Sequence, residues 1–188
     1  MSEAVSALGG AAYDGAVRVE DAGLRGMITL RGDLCDAALR AAVRDVTGLD
    51  IPGQRETRLD AERGLVWMAP DEMLILVPHA EAEERVSALR TALGDAHVLC
   101  ANVSDARAVI RLSGAGAREV LAKGAPVDLS PAAFGPGMVR RTRLGQVAAA
   151  FWMTGPETFE VVCFRSVGGF VFDWLVAASA PGSLPGHF

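Results

Sequence analysis

With 188 residues, 51% of them hydrophobic and 22% charged, the chain has the composition of an ordinary globular protein, which excludes disorder and a large multidomain enzyme. Its 18 basic and 23 acidic residues give a net charge of -5, which argues against nucleic-acid binding by phosphate neutralisation. The longest purely apolar run, residues 147–153, is much shorter than the roughly 20 residues that a membrane-spanning helix requires. We expect a cytoplasmic protein with no nucleic-acid partner and no membrane partner.

The first half of the chain is predicted to form a strand, a helix, a hairpin and a second helix. Residues 1–15 precede these elements, lack a sustained hydrophobic period and contain three glycines, which predicts a flexible N-terminal arm. Asp33 follows the first strand and is predicted to cap the first helix, which Gly48 ends. The four elements span residues 27–31, 33–46, 65–77 and 80–93.

The second half of the chain repeats this order. Alternating apolar and polar residues predict a strand at 107–112, and a glycine-rich turn at 113–116 leads into a helix. Ser166 is predicted to cap the last helix, and a tail rich in Pro and Gly follows it. The helix, the hairpin, the last helix and the tail span residues 117–123, 146–164, 166–178 and 180–188.

A short internal repeat supports this duplication. Trp67-Met68-Ala69-Pro70-Asp71-Glu72 lies 85 residues before Trp152-Met153-Thr154-Gly155-Pro156-Glu157. The offset predicts matching positions for Trp67 and Trp152, and we expect both, together with Trp174, between the sheets and the helices.

A strand, helix, hairpin and helix in this order form the split βαβ arrangement. We therefore predict an α+β fold of two tandem ferredoxin-like units that form one pseudo-symmetric body. The predicted boundaries are 1–15 for the arm, 16–105 for the first unit, 106–179 for the second unit and 180–188 for the tail.

The glycine-rich turn before the second predicted helix has the local context of a phosphate-binding loop. It reads Leu112-Ser113-Gly114-Ala115-Gly116-Ala117-Arg118-Glu119, between a strand and a helix. Glu119 occupies the position of the third glycine of a nucleotide-binding motif, and its charge would repel a pyrophosphate. A plain turn between strand and helix is the interpretation we adopt.

No set of side chains with the spacing of a catalytic or metal site stands out. Cys35, Cys100 and Cys163 are far apart and form no C-x-x-C pair, so neither disulfides nor structural zinc are expected. None of the three histidines has a nucleophile nearby in sequence. The sequence therefore predicts no catalytic residue, no cofactor-binding residue and no metal ligand in this chain.

Arginine provides all but one of the basic residues, the exception being Lys123. The run Arg140-Arg141-Thr142-Arg143 is open to two interpretations, an anion-binding or partner-binding cluster and a solvated strand face. Arg107, Arg111, Arg140 and Arg165 are candidates for contact with a partner, because guanidinium groups are common in protein interfaces.

Four segments of the chain together carry a resemblance, Trp67–Glu72, Asn102–Arg107, Leu112–Gly114 with Ala122–Leu129, and Phe164–Ser166 with Asp173–Leu175. In order and spacing they are similar to the gamma subunit family of heterotetrameric sarcosine oxidase. Two departures from the family pattern occur, Ala69 where glycine is frequent and Met73 where tryptophan is frequent. The resemblance implies the fold of the folate-binding domain of aminomethyltransferases, which agrees with the two units expected from the pattern of elements.

The resemblance also implies a role. It suggests a non-catalytic assembly subunit whose partners are the alpha, beta and delta subunits of an oxidase. That complex would demethylate sarcosine to glycine with peroxide formation and pass the one-carbon unit to tetrahydrofolate. The resemblance places FAD, FMN, NAD, tetrahydrofolate and zinc in the partner subunits and no cofactor in this chain.

Two other functions remain open at this point. A stand-alone folate-binding or aminomethyltransferase-like protein would need a carboxylate directed at the pterin ring, for which Asp71, Asp105 and Glu160 are the candidates considered. The other function is an interaction module that acts without the oxidase.

Overall fold

The computed structural model describes residues 3–188, which form two compact units. The central unit is Arg25–Ser104, and the terminal unit combines residues 3–24 with Asp105–Phe188. The strands of the described residues are β1 (Ala12–Asp14), β2 (Arg18–Asp21), β3 (Gly26–Arg31), β4 (Thr57–Asp60), β5 (Arg63–Ala69), β6 (Glu72–Val77), β7 (Leu99–Asn102), β8 (Arg107–Ser113), β9 (Val139–Leu144), β10 (Val147–Gly155) and β11 (Thr158–Phe164). The helices are α1 (Ala37–Thr47), α2 (Ala82–Leu93), α3 (Ala117–Ala122) and α4 (Gly168–Ala178).

The central unit is a five-stranded antiparallel sheet with two helices. Its strand order is β4-β5-β6-β3-β7, in which α1 follows β3 and α2 connects β6 to β7. One face of the sheet and the two helices share a hydrophobic core, because alternate strand residues point to the same side. Its buried members include Ile28, Leu30, Leu65 and Ile75 from the sheet and Leu39, Val43, Val86 and Leu89 from the helices.

The first helix of the central unit begins three residues later than the sequence predicts. The Asp36 carboxylate accepts a hydrogen bond from the Leu39 N–H at 2.8 Å and is the N-cap. The predicted cap, Asp33, instead accepts from the Cys35 N–H at 2.9 Å in the preceding turn. The helix ends as predicted at Gly48, whose φ of 75° lies in the left-handed region that glycine adopts without strain.

The terminal unit has the same arrangement of strands and helices. The strand that corresponds to β7 comes from the N-terminal residues, before the central unit in the chain. Its strand order is β1-β2-β8-β11-β10-β9, again antiparallel. Strand β8 holds the position of β3, and β2 lies beside it where β7 lies in the central unit. The predicted α+β fold with two tandem ferredoxin-like units is confirmed.

The observed boundaries of the units differ from the predicted boundaries at the N-terminal residues. Residues 16–24 were expected in the first unit, but Val19 of β2 pairs with Leu112 of β8 and both are fully buried in the terminal unit. Strand β1 lies within the predicted arm and pairs with β2. Pairing of β2 covers an edge of β8 that would otherwise expose its backbone hydrogen-bonding groups.

The two hairpins are related by 86 residues rather than the 85 that the repeat predicts. Trp67 pairs with Met73, and Met153 pairs with Phe159, so Trp67 corresponds to Met153. Both strands also have a bulge at this point, between Trp67 and Ala69 and between Met153 and Gly155. Trp67 and Trp152 therefore point to opposite faces of their sheets, because a shift of one residue reverses the face.

The structure corrects the expected position of Trp152. Its neighbours Phe151 and Met153 belong to the core shared with the helices, whereas Trp152 is fully buried on the other face of the sheet. Trp67 and Trp174 pack against the helix-side cores, as expected. The final helix also lacks the predicted Ser166 cap, because residues 165–167 form a short 3-10 turn and α4 starts at Gly168 without a side-chain cap.

Candidate functional site

The groups that support nucleophilic or metal chemistry are dispersed or buried. Among residues 3–188, no group of three or more His, Cys, Asp and Glu side chains could hold a metal ion. Burial raises the pKa of the Cys163 thiol to about 11 and raises the pKa of Cys100 as well, so both thiols are protonated at neutral pH. Within the same residues, no helix is long and apolar enough to cross a membrane.

The three carboxylates considered for a pterin do not fit that role. Asp71 is exposed and forms an ion pair with Arg31 at 2.9 Å, and Asp105 is exposed on a 3-10 turn. Glu160 is only 2% exposed, but its carboxylate lies 3.3 Å from the Arg111 guanidinium. A pterin ring would need a carboxylate that accepts its N–H groups inside a pocket, and these three are exposed or already paired.

A different carboxylate, Glu119, holds residues 186–188 onto α3. Its two oxygens accept hydrogen bonds from the backbone N–H groups of Gly186, His187 and Phe188 at 2.8, 2.7 and 3.1 Å. These bonds, with the Phe188 N–H contributing most, hold the pKa of the Glu119 carboxyl below its usual value. Glu119, whose charge argues against a phosphate-binding loop in the sequence, thus anchors the end of the predicted tail, residues 180–188.

Two further contacts hold the same segment. The Lys123 ammonium donates to the Ala178 carbonyl at 2.6 Å and to the Ser183 hydroxyl at 3.0 Å. Leu184 packs onto Gly116, where a Cβ would lie 2.3 Å from a Leu184 methyl group, so a larger residue would displace it. A pocket of about 450 Å³ remains, lined by Glu119, Ala122, Lys123 and residues 185–188.

All four arginines considered for partner contact make contacts within the chain. Arg140 lies over the Phe134 ring at 5.0 Å and donates to the Ala133 carbonyl at 2.6 Å. Arg111 is bound to Glu160 and lies 3.8 Å from Glu20. Both stabilise the terminal unit.

The other two arginines lie at one end of the terminal sheet. Arg107 begins β8 and pairs in register with Phe164, the last residue of β11. The Arg107 guanidinium stacks over the Phe164 ring at 4.4 Å. Arg165 is the next residue and donates to the Val5 carbonyl at 3.4 Å.

Two more exposed apolar residues belong to this end of the sheet. Helix α4 begins here, because Gly168 packs against Ala108 of β8, and Phe170 lies in its first turn. The Ala22 N–H donates to the Val109 carbonyl at 3.0 Å, which brings the chain to Leu24. We call the stacked pair Arg107 and Phe164 the Phe164 face. It lies on the side of the sheet away from the helices, because the strand neighbours Ala108 and Cys163 belong to the helix-side core, and Phe170 of α4 lies on the helix side.

Large apolar side chains are accessible at this end of the terminal sheet. Among the described residues, eight large hydrophobic side chains are exposed, and four of them lie at this end. Their exposed fractions are 60% for Val5, 55% for Phe170, 48% for Phe164 and 44% for Leu24. Aromatic and arginine side chains together are typical of protein–protein interfaces, so this face can form one.

Comparison with known proteins identifies the relatives of the chain. Residues 31–181 match the model of the sarcosine oxidase, gamma subunit family. The sarcosine oxidase gamma subunit of Corynebacterium sp. strain P-1 is 32% identical over 73% of this chain and 68% of its own length. The corresponding subunit from Arthrobacter is 32% identical over 85% of this chain and 77% of its own. The chain belongs to the sarcosine oxidase gamma subunit family.

Solved structures agree with membership in this gamma subunit family. A chain of heterotetrameric sarcosine oxidase from Corynebacterium sp. U-96, in complex with pyrrole 2-carboxylate, superposes with a TM-score of 0.80 and 26% identity. That match covers 87% of this chain and 83% of the other. Aminomethyltransferase T of the glycine cleavage system from Bartonella henselae has a TM-score of 0.62 at 14% identity, over 84% of this chain and 44% of that one, which shows a shared fold.

Arg107 and Arg165 of this gamma subunit family member were candidates for partner contact from the sequence, and Phe164, on which Arg107 stacks, was not. Val5 lies in the predicted arm and Phe170 on the predicted apolar stripe of the last helix, so neither was considered for partner contact. The 55% exposure of Phe170 in the first turn of α4 is the signal that marks it as accessible. That signal needs a structure, because helical spacing alone assigns Phe170 to the core.

Proposed function

We propose that this chain is a non-catalytic assembly subunit of a heterotetrameric sarcosine oxidase. One observation carries the proposal, the similarity of 87% of the chain to a chain of the Corynebacterium heterotetramer at a TM-score of 0.80. The complex demethylates sarcosine oxidatively to glycine with peroxide formation, and its one-carbon unit passes to tetrahydrofolate. The alpha, beta and delta subunits hold FAD, FMN, NAD, tetrahydrofolate and zinc, and this chain holds none.

The chemistry of the side chains supports a non-catalytic role. The buried thiols are protonated, and Glu119 and Glu160 are occupied by partners within the chain. A general acid or base must reach a substrate, and a nucleophile must be accessible in its reactive form. The groups that are accessible, above all the Phe164 face, favour binding to protein.

Reconstitution tests this proposal. The chain is expressed alone and together with the alpha, beta and delta chains encoded in the same organism. We expect a stable four-subunit complex that oxidises sarcosine, and an isolated chain that shows neither flavin absorbance nor sarcosine oxidation. Flavin bound to the isolated chain, peroxide formed by it, or its absence from the purified complex would each contradict the proposal.

A stand-alone folate-binding protein is the second candidate, because the fold is shared with an aminomethyltransferase. The buried carboxylate of Glu160 is the residue that this function would require. Calorimetric titration of the isolated chain with tetrahydrofolate separates the two functions. Tight binding that Glu160→Gln abolishes would favour the folate protein, and the absence of heat would favour the assembly subunit.

A further inference from the structure

We propose that the outer edge of β9 pairs with an extended, acidic strand of a partner subunit of the oxidase. The partner strand adds to the terminal sheet by backbone hydrogen bonds, and its carboxylates face Arg141 and Arg143. This inference rests on the proposed function and adds to it the residues of this chain that make the contact and the chemistry of the segment they bind.

The arginine run noted in the sequence lies in β9, the last strand of the terminal sheet. Register with β10 places Arg140 opposite Phe151, which belongs to the helix-side core. Because side chains alternate along a strand, Arg141 and Arg143 lie together on the other face, with their Cα atoms about 7 Å apart. Both arginines are exposed.

The backbone groups of the same two arginines point out of the sheet. Strands β9 and β10 are joined by a two-residue turn at 145–146, and Leu144 pairs with Val147 across it. The pair that closes such a turn exchanges both of its backbone hydrogen bonds, and hydrogen-bonded pairs then alternate along the ladder. The N–H and C=O groups of Arg141 and Arg143 therefore point away from β10, towards the position of a further strand.

The other three sheet edges of the described residues are less suited to a further strand. Strand β1 has three residues and β4 has four. Strand β7 also has four, and the Arg90 guanidinium binds its outward carbonyl, that of Cys100, at 2.7 and 3.1 Å. Strand β9 has six residues, contains no proline and pairs with β10 without a bulge, so it offers the longest regular edge.

The charge of this edge selects the partner strand. Arg141 and Arg143 face Ala150 and Ala148 on β10, so the sheet places no carboxylate in the cross-strand positions. A strand added on the outer side brings its own side chains opposite the two arginines, where opposite charges are stabilising. Acidic residues at two alternate positions of an extended segment match the spacing of the arginines.

The same charge disfavours a second copy of this chain as the added strand. In the two antiparallel registers with the greatest overlap of two β9 strands, an arginine of one copy lies opposite an arginine of the other. Like charges in directly opposite positions are destabilising. The arginines thus protect the edge from pairing with itself and leave it open to an acidic strand of a different chain.

The first experiment measures binding of the full chain to the alpha, beta and delta chains by surface plasmon resonance. Arg143→Glu reverses one charge at the edge. Arg58→Glu is the matched control, because Arg58 is an exposed arginine on β4, an edge strand of the other sheet. We expect Arg143→Glu to bind about tenfold more weakly, with a smaller dependence on salt, and Arg58→Glu to bind as the original chain does.

The second experiment separates strand pairing from a contact made by side chains alone. Arg143→Ala removes the guanidinium and keeps the backbone N–H, whereas Arg143→Pro removes the N–H as well. An edge strand tolerates proline where its nitrogen faces away from the ladder, and circular dichroism checks that the fold is kept. We expect Arg143→Pro to bind about fivefold more weakly than Arg143→Ala, because one hydrogen bond between the chains is lost.

Hydrogen exchange of the original chain gives the same test without a substitution. The Arg143 amide should exchange rapidly in the isolated chain and become protected in the complex. The Thr142 amide points towards Ala149 of β10 and should be protected in both states. Mass spectrometry with fragmentation to single residues measures both amides.

The outcomes separate this proposal from the proposed function. Failure of the original chain to bind any of the three partner chains overturns both. If the original chain binds, but Arg143→Glu has no effect and the Arg143 amide gains no protection, the edge pairing alone is overturned and β9 is a solvated strand face. Weaker binding of Arg143→Glu without protection of the amide also overturns it, because the contact is then made by the side chain alone.

A dimer of the isolated chain gives a further outcome. If Arg143→Pro converts such a dimer to a monomer, the added strand is a second copy of this chain. The assignment of the edge to a partner subunit is then overturned. Light scattering of the isolated chain and of the variant measures this.

Discussion

Arg118 fixes the long loop between α3 and β9 to the rest of the terminal unit. Its guanidinium donates to the carbonyls of Leu129 and Phe134 at 2.5 and 2.8 Å. It lies 5.6 Å from the Phe159 ring and 6.0 Å from the Phe134 ring, where burial lowers the pKa of the guanidinium. Arginine fits this position because its planar group stacks on a ring and donates to two acceptors at once.

We expect Arg118→Met to destabilise the chain by about 2–3 kcal/mol, because two carbonyls lose charge-assisted hydrogen bonds while the apolar stem is largely kept. Chemical denaturation followed by circular dichroism measures this change. Arg143→Met is the control, since the Arg143 guanidinium makes an exposed 3.3 Å bond to the Gln146 carbonyl three residues away and ties no distant segment within residues 3–188. Equal stability of the two variants would show that Arg118 does not hold the loop.

The sequence places Arg118 and Glu119 at the start of a predicted helix and indicates nothing of their partners. Those partners are backbone groups 11 to 69 residues away in the chain. Every residue type supplies a backbone C=O and every type but proline an N–H, so no pattern in the sequence identifies such a pair. Both roles follow from the tertiary structure alone.

At the scale of elements, three backbone hydrogen bonds to the Glu119 carboxylate attach residues 186–188 to α3. We call this set of bonds the Glu119 clasp, and its stability depends on pH. The folded-state pKa of this carboxyl lies below its ordinary value, so the ionised form contributes stability above the unfolded-state pKa. That contribution is lost as the pH falls through the depressed folded-state pKa. The clasp is therefore complete at neutral pH and opens in acid.

We expect the amide protons of residues 186–188 to be protected from exchange at neutral pH and to lose that protection below the ordinary pKa range of glutamate. NMR detection of the individual amides against pH measures this. Glu119→Ala should remove the protection at every pH, because the acceptor is gone. Glu157→Ala, in the exposed turn between β10 and β11, should leave it unchanged. Protection that persists in Glu119→Ala would contradict the clasp.

Most elements were predictable because their signals are local. The helix-side cores of α1, α2 and α4 show as apolar residues at helical spacing, and both hairpins show as apolar runs around a turn. Edge strands β4 and β9 lie outside the predicted elements. Their residues alternate between buried and exposed or are largely exposed, and pairing with β5 and β10 is what makes them strands.

At the scale of the whole molecule, the terminal unit depends on residues from both ends of the chain. Strand β2 covers β8, and the Ala16 N–H donates to the Ser179 carbonyl at 2.8 Å. The buried Val17 and Val19 belong to the same core as β8, β11 and α4. The unit therefore closes only when the N-terminal residues are present.

We expect a chain that lacks residues 1–24 to lose the cooperative unfolding of the terminal unit or to aggregate, because β8 becomes an open edge and part of the core is missing. A chain that lacks residues 1–10 keeps both β1 and β2 and should still unfold cooperatively, with a lower stability because Ala7 and Leu8 no longer pack against the core. Calorimetry and light scattering measure the two effects. If the chain that lacks residues 1–24 unfolded cooperatively and did not aggregate, β2 would be dispensable.

By itself the sequence determined the α+β class, the two ferredoxin-like units and the resemblance to the gamma subunit family, because these rest on periodicity, turns and short motifs within continuous segments. Tertiary structure decided the position of β2, the face of Trp152, the clasp at Glu119 and the composition of the Phe164 face. Each of these depends on contacts between distant segments. In a strand, a change of one residue in the pairing register moves every side chain to the opposite face of the sheet. Sequence spacing predicts local elements, and long-range hydrogen bonds and packing determine which residues meet.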